Sequence, residues 1–125
     1  MNNLKNIPIF PLKSIILPGG QFPLRIFERR YLDMIKNSLK NNSGFVIALT
    51  KKDADYISSV HDYACYVEIV DWSQLDGGVL GITVEGKKIV MLSNCDLNEG
   101  NLLMGHAKVI AVSYTHLTLP TKLAV

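Results

Sequence analysis

The chain has 125 residues and a formal net charge of +2, which leaves room for one domain with a modest core. Its 48% hydrophobic content is ordinary for a globular chain and argues against disorder. No window approaches the roughly 18–20 apolar residues of a membrane span, and the opening residues 1–6, MNNLKN, lack the apolar core of a signal peptide.

The organising stretch is residues 7–35, which hold four of the five prolines and a Gly-Gly pair. Ile7, Ile9 and Leu12 are apolar, but Pro8 and Pro11 lack a donor N–H, and prolines in a strand are expected at a sheet edge or at the strand's own start, not in the middle of a sheet. Ile15, Ile16 and Leu17 run into Pro18-Gly19-Gly20, a tight-turn signature, since Pro presets φ and Gly accepts φ > 0. Residues 21–26 lead into a helix near 27–40. Phe27, Tyr31, Met34, Ile35 and Leu39 fall at helical spacing and predict its apolar stripe. Glu28 is expected in the first turn, and Lys36 and Lys40 near the end, where the helix dipole favours each charge. Asn41-Asn42-Ser43-Gly44 ends the helix.

Residues 45–49 form a continuous apolar run between Gly44 and Lys51-Lys52, as in a strand buried on both faces. Residues 52–62 read as an exposed loop. Its Asp53, Asp55, His61 and Asp62 fit neither a calcium-loop nor a zinc pattern, so no metal is expected. Residues 63–72 alternate, with Cys65, Val67 and Ile69 on one face and Tyr66, Glu68, Val70 and Trp72 on the other. Asp76-Gly77-Gly78 marks a hairpin, and Leu80, Ile82 and Val84 share a face of the returning strand. Gly86 predicts a second turn or a bulge, with the strand resuming to Leu92. Residues 94–100 are a polar connection, and 104–112 a last strand. Periodicity thus supports a mostly β domain of the α+β class with one main helix.

These pieces resemble a known family. Prolines in an apolar strand, then Leu17-Pro18-Gly19-Gly20, then Pro23-Leu24-Arg25-Ile26-Phe27-Glu28 with Arg30-Tyr31 opening a helix, look like the Lon substrate-binding domain. That is the N-terminal module of ATP-dependent Lon proteases, and the motif is closest to stand-alone proteins built from that module. Residues 63–92 agree, as a strand, an Asp-Gly turn and a second strand. Arg29 departs from relatives that carry Pro there, a residue favoured in a helix's first turn. The resemblance implies a small PUA-like pseudo-barrel over residues 1–112. It further implies a non-catalytic module that engages unfolded or degron-bearing protein segments, with a protease or ATPase partner. The tail, residues 113–125, has no clear period and reads as non-native read-through, so the chain is taken as truncated.

No catalytic constellation accompanies the resemblance. Gly81 to Lys87 matches a phosphate-loop spacing, but its interior alternates like a strand and Lys88 stands where Ser or Thr is needed, so no nucleotide or other cofactor is expected. No Gly-x-Ser-x-Gly elbow is present, and His61 and His106 lack a triad context. Glu68 and Asp71 have opposite strand parity, which disfavours a shared acid/base role. Cys65 and Cys95 match no metal spacing and read as buried thiols of a reducing, cytoplasmic compartment.

Two binding functions remain. An apolar groove near the proline-rich edge would capture extended protein segments, with Ile9, Phe10, Phe22, Leu24 and Phe27 as candidates. The alternative is RNA binding. Residues 1–52 carry nine Lys/Arg against Glu28 and Asp33, while residues 53–86 carry seven acids and no Lys or Arg. Arg25, Arg29 and Arg30 would form the patch for phosphates, although the aromatic interleaving needed for base stacking is missing there.

Overall fold

The computed structural model describes residues 3–51 and 60–111. Six strands and one helix occur in the order β1 (Asn3–Leu12), β2 (Gln21–Ile26), α1 (Arg29–Asn41), β3 (Phe45–Thr50), β4 (Val60–Gln74), β5 (Leu80–Leu97) and β6 (Leu103–Ala111), with a 3₁₀ turn at Asp76–Gly78 joining β4 to β5. The sheet order is β2-β5-β4-β3-β1-β6, and an added β5–β6 pairing closes the last five strands into a ring. β2 lies outside the ring, against the first half of β5. The expected mostly β architecture with one helix is therefore what forms.

β1 and β3 run parallel. A parallel pair needs a long crossover, and the 13–44 segment supplies it, carrying β2 and α1 across the outside of the barrel. The β1–β3 register extends from Ile9 to Leu12, whereas the β1–β6 register extends from Asn3 to Ile9. β1 is thus interior in the sheet order, contrary to the edge position expected from its prolines. The physical reason is that each half of β1 is paired on one side only. Pro8 lies in the half that faces β6 and Pro11 in the half that faces β3, so neither absent N–H need break a ladder. Pro23 follows the simpler rule, on the outermost strand.

β3 is the wall between two cores. Phe45 and Ile47 point into a cluster with Ile26, Tyr31, Ile35 and Val67 beneath α1, whereas Val46 and Ala48 point into the barrel with Ile9, Val90 and Leu103. This explains its unbroken apolar run: both faces are buried, so no polar position is needed. Phe45, Val46 and Ala48 are each 0% exposed.

Helix α1 buries Tyr31, Met34, Ile35 and Ser38, a single stripe at helical spacing. The predicted stripe was rotated. β2 extends to Ile26, so Phe27 precedes the helix and is 68% exposed, and Leu39 at 36% gives way to Ser38. Glu28 is the residue that caps the helix start, and the first turn holds no acid. Its carbonyl accepts from the N–H groups of Tyr31 and Leu32 (3.0 and 2.9 Å). At the other end Asn42 adopts the left-handed conformation (φ 52°, ψ 46°), a geometry Asn tolerates well. Lys40, but not Lys36, lies in the last turn.

Other boundaries differ from expectation for reasons of pairing. Val60, His61 and Asp62 belong to β4, not to a loop, because Val60 pairs with Thr50 and is buried. Asp53 and Asp55 lie outside the described residues, as does the tail from 113. β5 extends to Leu97 through an irregularity between Ser93 and Asp96, leaving a turn in which the Asn98 side chain accepts from Gly100 and Leu102 N–H (2.8 and 3.0 Å). Gly86 is a bulge rather than a turn, since Tyr66 pairs with Lys88 and the adjacent Val67 with Gly86.

Candidate functional site

The connection between β1 and β2 builds an exposed apolar surface. Leu17-Pro18-Gly19-Gly20 is a type II turn: Gly19 has φ 88°, and the Gly20 N–H donates to the Leu17 carbonyl (2.9 Å). The turn is pinned to the β5 bulge by two bonds, from the Gly19 N–H to the Gly86 carbonyl (2.9 Å) and from the Gly86 N–H to the Gly20 carbonyl (2.8 Å). A Cβ at Gly86 would run into the Leu17 carbonyl and sit 3.0 Å from Cys65 Sγ, so the approach requires glycine. Ile16, 7% exposed, plugs the connection into the core. Ile15 and Leu17, on either side of it, stay 67% and 62% exposed.

Beneath this connection is a cleft of about 300 Å³, lined among others by Ile15, Leu17, Leu49, Tyr63, Cys65 and Ile89. Among the described residues its lining holds no Asp, Glu, Lys or Arg, and His61 is its one titratable nitrogen base. Tyr63 stands at the rim, 62% exposed. Burial pushes the Cys65 thiol above its ordinary pKa, opposed by backbone hydrogen bonds from Lys87 and Lys88, so it is held protonated and poorly nucleophilic. Cys95 is also raised, by burial and then by the Asp62 charge, and both thiols are free. Cys95 is only half-buried, short of the burial expected from sequence.

A second concavity, about 420 Å³, shares Ser14 with the first. Phe10, Phe27 and Tyr31 supply its apolar surface, and Lys13, Arg25, Glu28 and Arg30 its charge. Phe10 stacks edge-on against Tyr31 (4.6 Å between centroids) and Phe45 (6.4 Å), which fixes its position. Arg30 is committed: its Nη2 is 2.7 Å from Glu28 Oε1, its Nη1 donates to the Asn101 carbonyl (2.8 Å), and its guanidinium lies 4.9 Å from the Tyr31 ring centroid. Burial raises the Tyr31 phenol above its ordinary value, with Arg30 lowering and Glu28 raising it.

The candidate residues named from sequence divide as follows. Phe10 and Phe27 come together at the second concavity with Arg25 and Arg30. Ile9 at 0% and Leu24 at 7% exposure are core and offer a ligand almost no surface. Phe22 is half-buried against the cluster under α1 and lines neither cleft. Arg29 lines a further hollow with Asp33 and Asn37, which Glu28 and Arg30 also border. Arg25 and Arg29 thus line different hollows, with Arg30 bordering both and occupied by Glu28. Sequence reasoning missed Ile15, Leu17, Tyr63 and Lys13. The available signal was three consecutive apolar residues before a Pro-Gly turn, which cannot all point inward from one connection.

The phosphate-loop spacing at Gly81 to Lys87 lies within strand β5. Glu68 and Asp71 are exposed and line different hollows, Glu68 beside the end of α1 and Asp71 beside Trp72. Among the described residues no cluster of His, Cys, Asp and Glu could hold a metal ion, and no helix is long and apolar enough to cross a membrane.

Comparison with solved structures finds two instructive likenesses. The crystal structure of a Lon N-terminal domain protein from Xanthomonas campestris superposes with a TM-score of 0.76 at 28% identity, over 87% of this chain and 62% of that one. The N-terminal domain of Mycobacterium avium complex Lon protease superposes with a TM-score of 0.65 at 18% identity, over 86% of this chain and 55% of that one, and supports the fold alone. The chain thus spans about 62% and 55% of the lengths of the two structures it resembles. No curated protein matches. The family model of the ATP-dependent protease La (Lon) substrate-binding domain matches residues 6–123, and the chain therefore belongs to the Lon substrate-binding domain family.

Proposed function

We propose that this domain is a non-catalytic module that captures extended apolar segments of unfolded or degron-bearing proteins, in the cytoplasm, on behalf of a protease or ATPase partner. One observation carries the reading. The connection between β1 and β2 is pinned to the barrel by Ile16 and by two Gly86 hydrogen bonds, yet it holds Ile15 and Leu17 in solvent over a cleft whose described lining is mostly apolar. A core would have absorbed those side chains, whereas a rigidly presented apolar surface is how binding sites are made. A preformed site loses little entropy on binding, which helps a weak, generic ligand. The family supports the substrate class, because the model that matches is that of the Lon protease substrate-binding domain. Two free thiols support a reducing compartment.

Leu17→Ser tests the proposal. Leu17 is 62% exposed, so the change should alter stability by no more than about 0.5 kcal/mol. Affinity for a fluorescein-labelled, apolar unfolded peptide should fall about tenfold, as expected for loss of a binding anchor. Unchanged affinity in a variant with a native circular-dichroism spectrum would refute the cleft as the site.

A further inference from the structure

We propose that the site reads charge as well as apolarity, selecting segments that carry a side-chain carboxylate within a few residues of an apolar anchor. The inference rests on the proposed capture of extended segments and names the class of segment. The two concavities have Ser14 in common in their linings, so a segment longer than the apolar cleft has the second one beside it. The second concavity presents Lys13, Arg25 and Arg30 against one carboxylate, Glu28. Arg30 and Glu28 neutralise each other at 2.7 Å. Lys13 and Arg25 are exposed, and among the described residues neither forms an ion pair, the pairs being Arg30–Glu28 and Lys87–Glu85. These two cations, without an ion pair among the described residues, line the same concavity as Phe10 and Phe27, the latter 68% exposed. Phe27 can pack against the stem of an acidic side chain while Arg25 grips its carboxylate with paired donors. A basic segment would meet like charge at the same place.

The deciding experiment uses the full chain and one peptide scaffold of Gly, Ser and a Leu-Phe anchor. Glu, Gln or Lys is placed beside the anchor, and each peptide is made with a free and with an amidated C-terminus. Affinity is read by fluorescence anisotropy at low and at high salt. The expected order is Glu over Gln over Lys, with about three- to fivefold between neighbours at low salt, the size of an exposed charge pair. The differences should shrink at high salt through screening and vanish in the Lys13→Gln/Arg25→Gln double variant. Equal binding of all three peptides would overturn the charge inference and leave apolar capture standing. A gain from the free C-terminus alone would show that a terminal carboxylate, not an acidic side chain, is recognised. A Glu preference that survives the double variant would sink the assignment to Lys13 and Arg25. Failure of every peptide to bind would overturn this inference together with the proposed function.

Discussion

Residues 45–49 and residues 15–17 are equally apolar, and the fold treats them in opposite ways. In β3 every side chain from Phe45 to Ala48 is at most 3% exposed, because the strand separates two cores. In the connection before β2, Ile16 is buried while Ile15 and Leu17 stay in solvent. Neither backbone is loose: one is held by sheet pairing on both sides and the other by hydrogen bonds to Gly86. The contrast teaches that exposed apolar side chains here do not reflect a deficient core. They are placed by a rigid scaffold, and rigidity with exposure points to binding rather than to folding.

The sharpest way to break the comparison is Phe45→Ala. Removing a fully buried ring costs about 3–5 kcal/mol, partly as a cavity left beneath α1, and urea denaturation should show it. Gly86→Ala comes next. The added methyl would meet the Leu17 carbonyl and Cys65 Sγ, so roughly 1–3 kcal/mol is lost to overpacking and the 17–20 turn detaches. Peptide affinity should fall with it, whereas an intact affinity would show that the pinned geometry is irrelevant. Arg30→Ala removes the Glu28 and Asn101 contacts at a cost of about 1 kcal/mol, a positioning effect visible in thermal melts. Leu17→Ser completes the series with stability nearly unchanged.

Alkali gives a complementary test. Burial raises Cys65 and Tyr31 above their ordinary values, so the unfolded chain releases these protons first. Stability from each is complete below its unfolded value, 9.0 for the thiol and 10.0 for the phenol, and is lost as pH rises from there through the raised folded value. Iodoacetamide at pH 8 should modify half-buried Cys95 before buried Cys65. The reverse order would show that the apolar cleft opens to its floor.

Much of the fold was legible because local signals carried it. The β3 run, the Leu80/Ile82/Val84 alternation, the Asp76-Gly77-Gly78 turn and the Asn42 helix end all follow from side-chain period and backbone preference. The helix phase was misread at its ends, because the boundary at Arg29 is fixed by how far β2 pairs with β5, information absent from the local sequence. The candidate site was half legible. Phe10 and Phe27 were named, but hydrophobicity alone cannot tell them from Ile9 and Leu24, whose neighbours close over them in the fold.

By itself, then, the sequence determined the element types, the family motif and the list of apolar and basic residues available to a site, since propensity, turn chemistry and periodicity act within a few residues of one another. Only the tertiary structure decided which apolar residues are core and which face solvent, and that Arg30 is ion-paired while, among the described residues, Lys13 and Arg25 are not. Those outcomes depend on contacts between elements far apart in the chain, such as the β1–β2 connection against the β5 bulge.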